Sequence, residues 1–107
     1  GEALVGESAV VEGVCDGGTA VGRGARVGTG SHVTGSVLFD GAEVGQGCVV
    51  EDSIIGAGAV IGDGSVLHSV VVGDGARIGA GNELLAGVRV WPGVALGDCA
   101  VRFSSDQ

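Results

Sequence analysis

Residues 21–88 read VGRGARVGTGSHVTGSV, LFDGAEVGQGCVVEDSI, IGAGAVIGDGSVLHSVV and VGDGARIGAGNELLAGV, four successive blocks of seventeen residues. Each block divides into sub-blocks of six, six and five residues, and every sub-block opens on an aliphatic side chain. The openers are Val21, Val27 and Val33, then Leu38, Val44 and Val50, then Ile55, Ile61 and Leu67, then Val72, Ile78 and Leu84. This spacing follows neither the 3.6-residue period of an amphipathic helix nor the alternation of one long strand. A fixed internal period of this length marks a stack of repeats whose shared faces make the core.

The columns of the block say how the stack is built. Glycine fills the second and fourth places of both six-residue units in fifteen of sixteen cases, Phe39 being the exception. Glycine accepts the positive φ of a sharp corner that a side chain resists. The fifth place is Ala25, Ala42, Ala59 and Ala76 in the first unit and Ser31, Cys48, Ser65 and Asn82 in the second. One aliphatic and one small residue per side suit a narrow, filled interior. The chain is therefore predicted to turn three corners per block, with blocks paired like strands about 4.8 Å apart. The expected fold is all-β, a triangular solenoid with short strands ending on the openers.

The repeat [VIL]-G-x-G-[small]-x resembles the hexapeptide repeat of single-stranded left-handed parallel β-helices. The left hand is what that resemblance implies, since extended crossovers are otherwise right-handed. Sugar-nucleotide pyrophosphorylases, acyltransferases and γ-type carbonic anhydrases share the repeat, so function has to be argued from the site.

Size and charge narrow the classes. A chain of 107 residues is one domain, and a solenoid of this length needs no thick globular core because each coil covers its neighbour. A net charge of −8, with five arginines spread along the coils, leaves no basic stripe for nucleic acid. No apolar run reaches membrane-spanning length, and the first eleven residues, carrying Glu2 and Glu7, do not read as a signal peptide. Cys15, Cys48 and Cys99 have no metal-like spacing. Cys48 falls in the small inward column and reads as a buried packing residue. A reducing, cytoplasmic setting is expected.

Residues 1–20 read as an irregular first coil: Val5, Val10 and Val11 match the hexad, and Val14 to Gly18 break it. Residues 21–88 are the four regular coils. Residues 89–107 are a last coil, a cap and a polar tail, in which Trp91, Pro92 and Phe103 replace the glycine pattern. Bulky aromatics here are expected to cover the open end of the prism, and Pro92 removes a donor that would template a further strand. Terminal repeats need a capping surface, and the first coil offers none, so an upstream domain is expected.

The stretch Gly87-Val88-Arg89-Val90-Trp91-Pro92-Gly93-Val94, followed by Val101-Arg102-Phe103-Ser104-Ser105-Asp106, resembles the C-terminus of bacterial mannose-1-phosphate guanylyltransferases of actinobacterial type. Val33-Thr34-Gly35-Ser36-Val37-Leu38, Val50-Glu51-Asp52-Ser53-Ile54-Ile55 and Leu67-His68-Ser69-Val70-Val71-Val72 are similar to coils of pyrophosphorylase C-terminal domains. The resemblance implies the second half of an enzyme that joins GTP and mannose 1-phosphate, giving GDP-mannose and pyrophosphate. Its Mg²⁺ and catalytic groups are then expected in the upstream nucleotidyltransferase domain, and this chain is expected to hold no catalytic, cofactor or metal site.

The residues themselves agree. The Gly-x-Gly triplets are repeat corners, whereas a phosphate cradle needs a following helix N-terminus, and no segment reads as helix. His32 and His68 are the only histidines, too few for a three-histidine zinc site. They leave one alternative, a free-standing hexapeptide acyltransferase with His32 or His68 as its base, although the unbroken register provides no substrate loop. Asp40, Glu51, Asp52, Asp63 and Asp74 lack the nine-residue period of calcium-binding repeats and read as solvated turns.

Strand alternation locates a partner surface. If each opener points inward, the residue before it points outward. The outward column of the first side is Arg26, Glu43, Val60 and Arg77, and that of the second is His32, Val49, Val66 and Glu83. On the third side it is Val37, Ile54, Val71 and Val88, apolar at every level. This ridge, extended by Phe39, is the expected contact with the catalytic domain or with another subunit's β-helix.

Overall fold

β-Branched openers are stiff at χ1 and favour extended backbone, and each is followed within three residues by a corner. The computed structural model describes residues 4–101, and there the chain is a stack of parallel two- and three-residue strands without a helix. Three sheets form the three sides, with six, six and five strands among the described residues. The first side runs from Val10–Val11 to Ala95–Leu96, the second from Val14–Asp16 to Glu83–Leu84, and the third from Leu4–Val5 to Arg89–Val90. No helix is long and apolar enough to cross a membrane among the described residues.

All twelve openers are buried, and with Ala25, Ala42, Ala59 and Ala76 they make the core. Two-residue strands end on the opener, whereas His32–Thr34, Val49–Glu51 and Val66–His68 on the second side run one residue past it. The fifth-place column of the second unit is a polar ladder inside the prism. The Ser31 hydroxyl accepts the Cys48 N–H at 2.9 Å and donates to the Gly45 carbonyl. The Ser65 hydroxyl accepts from the Asn82 N–H at 3.2 Å and donates to the Gly79 carbonyl at 3.0 Å. Ser36 and Ser53 do the same at another corner, accepting from Ser53 and Val70. No buried side-chain nitrogen or oxygen lacks a partner among the described residues, which is what a low-dielectric interior requires.

The two glycine columns have different causes. Gly64, in the fourth place, sits at φ 73° with open space where a Cβ would stand. Gly62, in the second place, has no left-handed φ, but a Cβ there would come within 2.5 Å of the Ala80 backbone nitrogen in the next coil. The first column is glycine for backbone conformation, the second for contact between coils. In the five-residue units the left-handed corner is taken by Gly35, then by Asp52 at φ 51° and Ser69 at φ 57°.

The acidic corners at 40, 63 and 74 are exposed turns, as read from the sequence, and they also bind backbone. Asp40, Asp63 and Asp74 each accept a backbone N–H from the preceding coil, from Arg23, Gln46 and Ala57, all at 2.9 Å. Asp98 repeats the contact on Ala80 at 2.8 Å. Each carboxylate ties its corner to the coil below through a charge-assisted bond.

Register is constant through the middle of the stack and shifts at both ends. Val21, Leu38, Ile55 and Val72 are paired at seventeen-residue steps. The first coil is one shorter, since Val5 pairs with Val21. Its break lies between Val11 and Cys15, while Val14–Asp16, read from sequence as the break, is itself a strand on His32–Thr34. The last coil is one longer, since Val72 pairs with Val90. Gly87, at φ 92°, lies in the turn after Leu84 that holds the extra residue.

Trp91, one of the aromatics expected at the open end, is 73% exposed and borders the hollow there with Leu84, Val90 and Leu96. It directly follows the inward Val90, at a place where glycine usually stands, and the Arg89–Val90 strand before it is the last of the third side among the described residues. No described coil therefore crowds it. Phe103 and the polar tail, also assigned to the cap, lie outside the described residues.

Candidate functional site

The ridge forms because parallel pairing in register stacks identical places of successive coils. Val37 pairs with Ile54 and Ile54 with Val71, so the three side chains stand in one column on the third side. They are exposed by 36%, 42% and 40%, although valine and isoleucine are normally among the most buried residues. Phe39 is exposed beside them. With Leu4, Ala20 and Val37 it lines a shallow groove of about 380 Å³, which Asp40 also borders.

Val88 does not belong to this column. The extra residue of the last coil puts Arg89 opposite Val71, and Val88 is half-buried against the end of the core. The ridge therefore ends on a guanidinium. It extends instead towards the N-terminus, because Leu4 pairs with Ala20 and Ala20 with Val37. Both residues directly precede recognisable openers, Val5 and Val21, and that signal was present in the sequence.

The histidines stand apart from the ridge. His32 and His68 lie on the second side in different columns, His32 over Val14 and His68 over Glu51. His32 Nε2 is 3.6 Å from Asp16 Oδ2, and His68 Nδ1 is 3.0 Å from Glu51 Oε1. Both pairs are about half exposed, so a base there would face open solvent. Among the described residues no three histidine, cysteine or acidic side chains come together to hold a metal ion.

Cys48 is buried, and its thiol donates to the Gly62 carbonyl at 3.1 Å, taking a serine's place in the ladder. Burial pushes that thiol above its ordinary range, and burial followed by the neighbouring Asp16 does the same to Cys15. Cys99 is exposed. Because the thiolate is the reactive form, a thiol reagent at mild alkaline pH is expected to modify Cys99 first, Cys15 later, and Cys48 only on unfolding. Mass mapping of the modified positions over time checks this order, and early modification of Cys48 contradicts it.

Comparisons with known proteins converge. The model of the family described as the GMPPB C-terminal domain matches residues 1–92. Over 108 aligned residues the chain is 60% identical to the mannose-1-phosphate guanylyltransferase of Mycobacterium tuberculosis (strain ATCC 25618 / H37Rv). That alignment covers 99% of this chain and 30% of the curated relative's length. A hexapeptide transferase family protein from Anaplasma phagocytophilum superposes with a TM-score of 0.63 at 24% identity, over 91% of this chain and 63% of that one. At that identity the likeness establishes the fold alone.

Proposed function

The chain belongs to the GMPPB C-terminal domain family, and from that premise we propose that it is the β-helical C-terminal part of a mannose-1-phosphate guanylyltransferase. The observation that carries this reading is the 60% identity to the mycobacterial enzyme across 99% of the chain. In this reading the parent enzyme makes GDP-mannose and pyrophosphate from GTP and mannose 1-phosphate in the cytoplasm. The nucleotide, the sugar phosphate and Mg²⁺ are bound by the catalytic domain, and the β-helix supplies a rigid docking face.

The docking face is the ridge Leu4, Ala20, Val37, Ile54 and Val71 with Phe39. Strands of two residues stacked about 4.8 Å apart make a strip of a few hundred Å², well short of the roughly 800 Å² per partner of a stable independent interface. A tethered partner needs less area, because linkage raises its effective concentration to the millimolar range. The enzyme's own catalytic domain therefore suits this strip better than a free second copy.

Two measurements test the proposal. This chain alone is expected to release no pyrophosphate from GTP and mannose 1-phosphate, whereas the chain joined to its catalytic domain is active. Activity of the isolated chain, free of contaminating enzyme, overturns the division of labour. Ile54→Glu with Val71→Glu is expected to leave the isolated chain folded but to loosen the whole enzyme, read as a changed sedimentation coefficient and faster protease cleavage between the domains. The docking role fails if fold, subunit number and interdomain contact all persist.

A further inference from the structure

We propose that the Asp16–Gly17 peptide is a spontaneous modification site, at which this chain converts aspartate to isoaspartate while its other Asp-Gly corners stay intact. Asp-Gly stands at 16–17, 40–41, 63–64 and 74–75. Glycine after aspartate leaves the peptide nitrogen open to the side chain, because no Cβ stands in the way. The Gly17 nitrogen attacks Asp16 Cγ, and its proton leaves with the hydroxyl of the protonated carboxyl as water, closing a succinimide. Water then reopens the ring. Attack at the side-chain carbonyl restores aspartate. Attack at the main-chain carbonyl leaves the backbone running through Cβ and Cγ, with no net change in mass.

Three of the corners hold both reacting groups. Asp40, Asp63 and Asp74 each accept a backbone N–H of the preceding coil on one carboxylate oxygen. The glycine that follows is fixed as well. Gly41, Gly64 and Gly75 donate their N–H to the carbonyls of Arg23, Gln46 and Ala57 at 2.9, 2.8 and 2.9 Å. Ring closure at these corners must first break a charge-assisted bond and a backbone bond between coils.

Asp16 stands in a corner of another kind. Cys15 and Val21 are six residues apart, whereas their partners Val33 and Leu38 are five apart, so this turn holds one residue more than the turn stacked on it. The turn is made by Gly17 and Gly18, both at positive φ, and the Gly17 N–H has no acceptor among the described residues. The Asp16 carbonyl, by contrast, accepts from the Thr19 hydroxyl at 2.7 Å and from the N–H groups of Thr19 and Gly35 at 3.2 Å. Negative charge spreads onto that oxygen as the Gly17 nitrogen gives up its proton, so these three donors favour the attacking form. The carboxyl group is held only by the Thr34 hydroxyl at 3.2 Å and by His32 Nε2 at 3.6 Å. Its side chain is 42% exposed, so water reaches the ring once it has closed.

The test ages the folded chain beside the same chain in guanidinium chloride, at neutral pH, until the unfolded sample has converted, and maps the peptides of both. An isoaspartate peptide elutes apart from its aspartate form at the same mass and resists a protease that cleaves before aspartate. In the folded chain, conversion at Asp16 is expected to run about tenfold or more faster than at Asp40, Asp63 or Asp74, the factor that one hydrogen bond to a charged group supplies. In the unfolded chain the four positions should convert at similar rates. The proposal is overturned if Asp40, Asp63 or Asp74 keeps pace with Asp16 in the folded chain, or if Asp16 stays intact there. It is also overturned if Asp16 leads by the same factor in guanidinium chloride, which would assign the lead to local sequence and not to the corner.

Discussion

Ile61→Asp is expected to leave no measurable folded population at ambient temperature. Ile61 is 1% exposed and is stacked in register between Val44 and Ile78. The substitution removes roughly 1.5–3 kcal/mol of apolar burial and places a carboxylate where the neighbouring polar groups already have partners. A buried, unpaired charge costs several kcal/mol more unless it is neutralised. Against a total stability of about 5–15 kcal/mol for an ordinary domain, the sum is close to the whole margin. The adjacent Val60 points outward, so Val60→Asp should cost about 1 kcal/mol or less. Urea titration of the two variants separates inside from outside at one strand. Similar midpoints for both would show that Ile61 does not face the core.

The second large effect is expected at glycines two residues apart. Gly62→Ala drives a methyl group into the backbone of Gly79 and Ala80, with contacts of 2.5 Å to the carbonyl carbon and the nitrogen. Backbone cannot step aside as a flexible side chain can, so the coils must separate and lose pairing on both neighbouring strands. A loss of about 3 kcal/mol or more is expected, at or above the upper end of ordinary overpacking. Gly64→Ala meets no atom within 4 Å but must hold φ near 73°, which costs an L-residue about 1–2 kcal/mol. Thermal melts should therefore rank Gly62→Ala well below Gly64→Ala. The reverse order would mean that backbone conformation, and not the spacing of coils, limits this stack.

The ridge shows how far a periodic reading carries. Val37, Ile54 and Val71 were legible because seventeen-residue steps separate them, and parallel pairing puts equal places side by side. Val88 was assigned to the same column by the same arithmetic and does not belong there. A five-residue unit after Leu84 puts Val88 outward and makes Arg89 the next opener, whereas a six-residue unit puts Arg89 outward and makes the aliphatic Val90 the opener. Hydrogen bonding decides between them: Gly73 N–H donates to Val90 at 2.7 Å, which commits Val90 to the inward place and turns Arg89 outward. The same ambiguity hid the shortened side between Val11 and Cys15.

The candidate base residues show a different limit. His32 and His68 are thirty-six residues apart, and the repeat indicates that both lie on the second side. It does not say that each faces a carboxylate of the preceding coil, Asp16 or Glu51. Nor does it say that the acids at 40, 63 and 74 turn back to bind backbone N–H groups. Both depend on side-chain direction at a corner, where alternation no longer applies.

By itself, then, the sequence determined the solenoid, its three sides, the twelve buried openers and the apolar column on the third side. These follow from a local repeat, and a local repeat sums coherently when every coil meets its copy. Tertiary structure alone decided where the sixteen-residue and eighteen-residue coils absorb their difference, and so which residue ends the ridge. It also separated the glycines held by φ from those held by the coil above, a distinction that composition cannot express. The physical reason is common to both. Each depends on a contact between one coil and the next, and that contact is fixed by hydrogen-bond register and backbone distance, not by the order of residues within either coil.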